Sequence, residues 1–386
     1  MTGAAGARLG SSALVAVAAH GLVTSHRFPP GPLDREHWGH LLAGVGRQRL
    51  SGLLVGALAD GSLPATHEQR AEADRLHQQA MTQCVLLERV LLKTVALLTA
   101  NGVDHRVIKG PALAHTAYPD PAVRAFGDVD VVVPSASFDL AVEVLSAAGY
   151  RRQTPELRPG FDRRFGKGAA FTTPGGLEVD LHRTLADGRF GLLVDVEELF
   201  ASSSPLRIGG EVLRALGPEE QFLQVCFNAA IGTRERRLMP LRDVIQLATT
   251  TDLDLDRLHL LCRRWRADAV LALAVNRAWE VLAAERGGAL PSWAAAYRTS
   301  RRDAAALRLH TAADAAWGPA ALVGVTAVQG AGAKLAYLHA VVLPDRRLSA
   351  THGAGTATRW MRRLGTLRRA VWPGAVPRDD RPPNGH

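Results

Sequence analysis

The sequence predicts an α+β fold that is mostly α, a small mixed β-sheet core flanked by N-terminal and C-terminal helical regions. Three observations carry this. The chain has 386 residues, is rich in Ala and Leu, and is 47% hydrophobic but only 5% aromatic, a composition that favours helices over an all-β architecture. Apolar residues recur at helical spacing between 66 and 100 and again beyond 218. Between these stretches, Asp128 to Val133 and Glu178 to His182 are short β-like runs in which alternate side chains point to one face. The chain therefore divides into a helical region (residues 1–100), a strand-containing core (101–205), a second helical region (206–348) and a basic tail (349–386) whose last residues read as disordered.

Each element has a local cause. Residues 1 to about 63 read as two or three short helices, broken by Phe28-Pro29-Pro30-Gly31-Pro32 and by Asp60-Gly61-Ser62. Thr66 to Ala100 reads as one long helix or two abutting ones, with Leu87, Leu91, Val95 and Leu98 at helical spacings and Asn101-Gly102 as the stop. His105 to Ile108 is a short strand, Lys109-Gly110-Pro111 a turn, and Ala112 to Tyr118 a short helix with Pro111 near its start. A second strand carries Asp128 and Asp130, and a helix over Ser135 to Gly149 follows. Ala169 to Thr173, Pro174-Gly175-Gly176 and Leu177 to His182 form a hairpin. Arg151 to Gly168, ahead of it, is basic and reads as a strand plus a mobile loop near the substrate. Helices resume over Gln221 to Ile231, Leu241 to Thr249, Leu255 to Ala283 and Ala304 to Ala316.

The formal charge of +9 suits polyanions such as nucleotides, nucleic acid or anionic lipid. Cys84, Cys226 and Cys262 are widely spaced and lack a Cys-x-x-Cys pair, which argues against a zinc site or a disulfide framework and fits a reducing cytoplasm. The apolar run from Ser11 to Ala19 is short and interrupted by His20, so it reads as a first helix rather than a signal peptide. No run of about 20 apolar residues offers a membrane span. Gly330, Gly332 and Lys334 hint at a phosphate loop, but the Gly-x4-Gly-Lys-Ser/Thr spacing is missing. Arg359 to Trp372 interleaves basic residues with Trp and Leu and reads as a docked or solvated terminal helix, with RNA or lipid contact as the alternative.

The chemistry concentrates in the core. Asp128 and Asp130 flank one apolar residue and would share a strand face, an arrangement that suits a hard cation such as Mg²⁺, which takes oxygen ligands and completes its shell with phosphates and water. Asp180 adds a third acidic position on a later strand. Glu178 and His182 lie on the same face as Asp180, but a flanking charge and a strand-end His are more often structural.

The run Val107 to Ala114, with Lys109-Gly110-Pro111, then Tyr118-Pro119-Asp120-Pro121, Arg124, Gly127-Asp128-Val129-Asp130 and Glu178-Val179-Asp180-Leu181-His182 resembles the uncharacterised nucleotidyltransferase family of the DNA polymerase beta-like superfamily. The resemblance implies a nucleotidyltransferase core at 101–205 and a two-metal transfer of NMP from an NTP such as ATP, with release of pyrophosphate. It further implies that Asp128 and Asp130 bind two Mg²⁺ ions, with Mn²⁺ as a substitute, and that Asp180 completes the acceptor-side site and takes the acceptor's proton. Lys109 and the backbone at Gly110 would hold the β and γ phosphates at a helix N-terminus, and Arg124 would neutralise the leaving pyrophosphate.

Two departures stand out. Relatives usually present Gly-Ser or Gly-Gly in the phosphate turn, whereas Gly110 is followed here by Pro111, which removes one N–H donor. Where relatives tend to show a His in the C-terminal helices, this chain has Cys226-Phe227-Asn228, and Asn228 receives no role. The expected partners are an NTP and an acceptor, for which a small molecule, a peptide or protein, and a tRNA end all fit. The competing readings are a catalytically idle nucleotide-binding or regulatory module and an RNA-binding protein that uses its basic tail.

Overall fold

The computed structural model describes residues 12–232, 237–311 and 323–343. The basic tail and the Arg359 to Trp372 segment lie outside the described residues.

Residues 12–19 form α1, followed by α2 (Arg35–Gln48) and α3 (Ser51–Ala59). The long helix α4 (His67–Ala100) starts at a capping box, in which the Thr66 side chain accepts from the Gln69 backbone and the Gln69 side chain from that of Thr66. β1 (Arg106–Ile108) runs directly into α5 (Lys109–Thr116), and β2 (Val129–Val132) follows a short 3₁₀ turn at Pro121–Val123. Then come α6 (Phe138–Ala147), β3 (Arg151–Arg152), α7 (Phe161–Arg164), β4 (Gly168–Thr172) and β5 (Glu178–His182). The turn joining β4 to β5 closes with the Thr173 backbone N–H on Leu177 O at 2.8 Å.

Two short helices, α8 (Gly188–Leu193) and α9 (Val196–Ala201), lead to β6 (Ser204–Ile208) and β7 (Glu211–Ala215). These two strands belong to the sheet, so the strand-containing part runs past residue 205. The rest is helical: α10 (Pro218–Ile231), α11 (Leu238–Thr250), α12 (Leu255–Trp265), α13 (Asp268–Val281), α14 (Ala289–Ala296), α15 (Arg301–Thr311) and α16 (Ala331–Val342). The stretch from Leu255 to Ala283 is thus two helices, because Arg266 adopts a left-handed conformation that ends α12. Gly330 precedes α16 as its N-cap.

The sheet has seven strands in the order β3-β4-β5-β2-β1-β7-β6. It is mixed: β2 pairs parallel with β5 and antiparallel with β1, while β1 pairs parallel with β7. One face, with Val129, Val131, Val179 and Leu181, packs with Leu87, Leu91 and Leu98 of α4 and Phe138 and Leu145 of α6. Period-two alternation turns Asp130, Asp180 and His182 to the other face. On that side lies a helical core in which Leu41, Leu50 and Leu54 from the N-terminal helices share one apolar cluster with Phe222, Val244 and Val270 from the C-terminal ones. Ile108, Leu113 and Val132 of the central unit join the same cluster.

Candidate active site

The parallel register of β2 and β5 sets Asp130 beside Asp180 and Val132 beside His182. A metal-ligating atom from each of Asp130, Asp180 and His182 lies within 4.8 Å of the others. Asp130 and His182 are buried, and Asp180 is half-buried. Asp128 stands just before β2 and lies outside that trio. Its Oδ1 accepts from Nη1 of Arg49 at 3.3 Å.

Lys109 is where β1 becomes α5. Its φ of 54° puts a non-glycine residue in the left-handed region, a costly conformation found disproportionately at functional sites. From there its ammonium donates to Asp130 Oδ1 and lies 3.2 Å from His182 Nε2. Gly110 follows because nothing larger fits: a Cβ there would come 2.6 Å from Phe126 Cβ.

His182 Nε2 lies 2.7 Å from the same Asp130 oxygen. Only an Nε2–H can donate to a carboxylate, so this contact selects the tautomer, and Nδ1, buried, is left without a hydrogen-bond partner among the described residues. Burial and the Lys109 charge hold the imidazole well below its ordinary pKa, so it is neutral. Burial would raise Asp130, but the Lys109 charge and the His182 hydrogen bond prevail and hold it well below the usual carboxylate range. Burial likewise opposes the charge on Lys109, and Asp130 more than offsets it, which raises the ammonium.

Asp180 behaves differently. It accepts no hydrogen bond among the described residues, and burial together with the charge of Asp130 pushes it up to about 6. Lys167, just ahead of β4, feels the charges of Asp130 and Asp180, and burial plus the neighbouring Lys109 lowers its ammonium.

Beside the trio lies a cleft whose walls include Arg47, Arg49, Lys109, Arg124 and Arg237 against Asp128 and Asp130. Gly110 and Asn228 line it too. Five basic side chains against two acidic ones make it a place for an anion. Arg124 is largely committed elsewhere. Its Nε and Nη2 donate to Asp243 Oδ1 and Oδ2 at 3.1 and 2.8 Å, its Nη1 donates to Ala125 O at 2.8 Å, and Tyr118 Oη donates to Asp243 Oδ1 at 2.8 Å. This buried fork ties the segment before β2 to α11.

The donor set fits a divalent cation. Two carboxylates and an imidazole within one ion's reach suit Mg²⁺ through the oxygens, and Mn²⁺ through all three. The Lys109 ammonium on Asp130 shows that the spot stabilises positive charge.

The profile of a family described as uncharacterised nucleotidyltransferase matches residues 34–283. The chain belongs to that family. It is accordingly an enzyme of nucleotidyl transfer. The match begins at Asp34, the N-cap of α2, so the helices that carry Arg47 and Arg49 fall within the family's unit.

No curated protein matches the chain. Among solved structures, it is similar to the antibiotic-resistance factor ANT(2'')-Ia, at 14% identity and TM-score 0.34 over 47% of this chain and 92% of that one. The lincosamide antibiotic adenylyltransferase LnuA, lincomycin-bound, gives 13% identity and TM-score 0.29 over 42% and 96%. An antigenic nucleotidyltransferase-like protein from Paracoccidioides brasiliensis gives 16% and 0.28 over 48% and 92%.

Of the residues singled out from sequence, Asp130, Asp180 and Lys109 gather at one point, with Asp128, Gly110 and Arg124 along the adjoining cleft. Sequence reasoning set His182 aside as structural and missed Lys167, Arg47, Arg49 and Arg237. Only His182 had a local signal, its shared strand face with Asp180.

Proposed function

We propose that the chain moves an NMP from an NTP to an acceptor hydroxyl, phosphate or amine, releasing pyrophosphate, with Asp128, Asp130 and Asp180 as ligands for divalent ions. The observation that supports this best is the Asp130, Asp180 and His182 trio at the edge of a cationic cleft. Divalent ions held there, Mg²⁺ or Mn²⁺, would supply charge to offset that of the triphosphate and to favour the acceptor oxygen's approach.

The protein's own groups do the rest. Asp130 remains ionised throughout the working pH range, and His182 holds its carboxylate in place. Lys109 is positioned to exchange its Asp130 contact for a phosphate oxygen. Asp180, whose carboxylate accepts no hydrogen bond among the described residues and whose pKa is pushed up to about 6, takes the acceptor's proton. A bond forms between the acceptor atom and the α-phosphorus, the bond from that phosphorus to the oxygen bridging to the β-phosphate breaks, and pyrophosphate leaves with the electron pair. Arg124, held by Asp243, positions the strand that bears the aspartates.

The acceptor is sought among small molecules, peptides or proteins, and tRNA ends. The test incubates purified protein and a cell extract with NTPs labelled at the α or the γ phosphorus, with Mg²⁺ or Mn²⁺. Label from the α position should enter the acceptor while γ label leaves as pyrophosphate. Transfer of γ label instead would mean phosphoryl transfer and would overturn the reading.

A further inference from the structure

The turn at Lys109-Gly110-Pro111 is poorly equipped to hold a triphosphate alone. Pro111 has no N–H, and the Lys109 ammonium is engaged with Asp130. Further cations on the cleft come from outside the strand-containing core. Arg47 is in the last turn of α2 and Arg49 is its C-cap.

Arg49 is built into its position. Its φ of 59° turns the chain out of the helix, at a conformational cost for any residue but glycine. Its guanidinium lies against Gly127, where an added Cβ would fall 2.2 Å from Nη2 and 2.6 Å from Cζ. Nη1 sits 3.3 Å from Asp128 Oδ1, and the two side chains are 38% and 31% exposed. A half-exposed ion pair of this length is weak and exchangeable. A divalent ion at Asp128 would compete for the same oxygen with twice the charge.

We propose that Arg49, with Arg47 beside it, is a triphosphate-binding arm that rests on Asp128 and passes to the nucleotide's phosphates when a divalent ion takes that carboxylate. The proposal rests on the reading that Asp128 and Asp130 hold such ions. It gives the N-terminal helices a direct part in nucleotide binding. The guanidinium fork would engage two phosphate oxygens at once, which an ammonium cannot do.

An arm of this kind has a signature that a structural pair lacks. Removing its charge frees Asp128 from a competitor and deprives the nucleotide of a partner, so two affinities move in opposite directions. With Mn²⁺ alone as probe, followed by its electron paramagnetic resonance signal, Arg49→Gln should bind the ion about 3-fold more tightly. With the α,β-methylene analogues of the four NTPs in Mg²⁺, followed by calorimetry, it should bind about 10-fold or more weakly. Arg49→Lys should recover part of the nucleotide affinity. Gly127→Ala, which displaces the guanidinium without changing any charge, should reproduce the gain in Mn²⁺ affinity, and it serves if Arg49→Gln fails to fold by circular dichroism. Nucleotide affinity within 2-fold of the unmodified protein, or a fall in both affinities together, would overturn the arm. Asp130→Asn is measured alongside: if it binds Mn²⁺ as well as the unmodified protein does, the metal reading fails and the arm with it. A lost Mn²⁺ response there, with Arg49→Gln unchanged, overturns the arm alone.

Discussion

The ammonium of Lys109 donates to Asp130, so the lysine read as a phosphate ligand is the charge partner of the aspartate read as a metal ligand. Asp130 is 1% exposed. A buried pair of this kind is costly to break from one side and cheap to remove whole.

Asp130→Asn should therefore do two separable things. It should abolish divalent-ion binding, and it should destabilise the protein by about 3 kcal/mol by leaving a buried ammonium with a neutral partner. The double variant Lys109→Met, Asp130→Asn should recover much of that stability while remaining unable to bind the ion. Chemical denaturation and Mn²⁺ titration of the four proteins of the cycle check this. Equal stability of all four proteins would show that the pair carries no coupling.

Asp180→Asn should stabilise the ion-free protein at pH 7.5, even as it slows transfer on the order of 10²-fold or more. The carboxyl is raised to about 6 in the fold, above its unfolded value. Between those two values the folded state binds the extra proton, so stability falls as pH rises through that window, and above it the penalty is constant. Because Asp180 is partly solvated, the gain on neutralising it is discounted to about 1 kcal/mol. The difference between variant and unmodified protein should vanish near pH 4. Thermal melts across pH 4 to 8 would refute the argument if the difference grew on acidification.

His182→Gln should lower divalent-ion affinity by about 10-fold or more, the scale set by losing a ligand or a group that orients one. It should also flatten the acid limb of stability. The folded imidazole sits below its unfolded pKa, so on acidification below about 6.5 the unfolded chain takes a proton that the folded one refuses, and stability drops. Without His182 that part of the drop disappears. Melts at pH 7.5 and 5.0, compared between the two proteins, measure it.

Arg124 and Asp243 form a buried fork. Arg124→Leu should cost about 3–5 kcal/mol by stranding the aspartate, and Asp243→Leu a similar amount. Arg124→Leu, Asp243→Leu together should cost less than either alone. If Arg124 acts by positioning, nucleotide affinity in the double variant stays within a few-fold of normal. A loss of nucleotide binding far beyond the loss of stability would make Arg124 a direct phosphate ligand instead.

Much of this was legible because it is local. The alternation around Asp130 and Asp180 shows which face each carboxylate takes, and Thr66, Asn101 and the Pro174-Gly175-Gly176 turn mark their boundaries by chemistry that acts within a few residues. The hairpin of β6 and β7 is harder to read, since each arm has five residues and Pro205 breaks the run of strand formers. Long-range partners leave no trace at all. Arg49 meets Asp128 across 79 residues and Arg124 meets Asp243 across 119, and an arginine in the last turn of a helix looks the same whether it faces solvent or an active-site cleft. His182 falls between these cases: its face is readable, but its contact with Asp130 depends on strand register.

Because Leu41 and Leu54 share an apolar cluster with Phe222 and Val270, the two ends of the chain cannot be treated as interchangeable cassettes around a fixed catalytic unit. A fragment cut at residue 101 would strip α4 from Val129, Val131 and Val179 and lose the cleft wall that carries Arg49. Grafting new acceptor preference from a relative would therefore require transplanting leading and trailing helices as a matched set, and half-chimaeras should aggregate rather than change specificity.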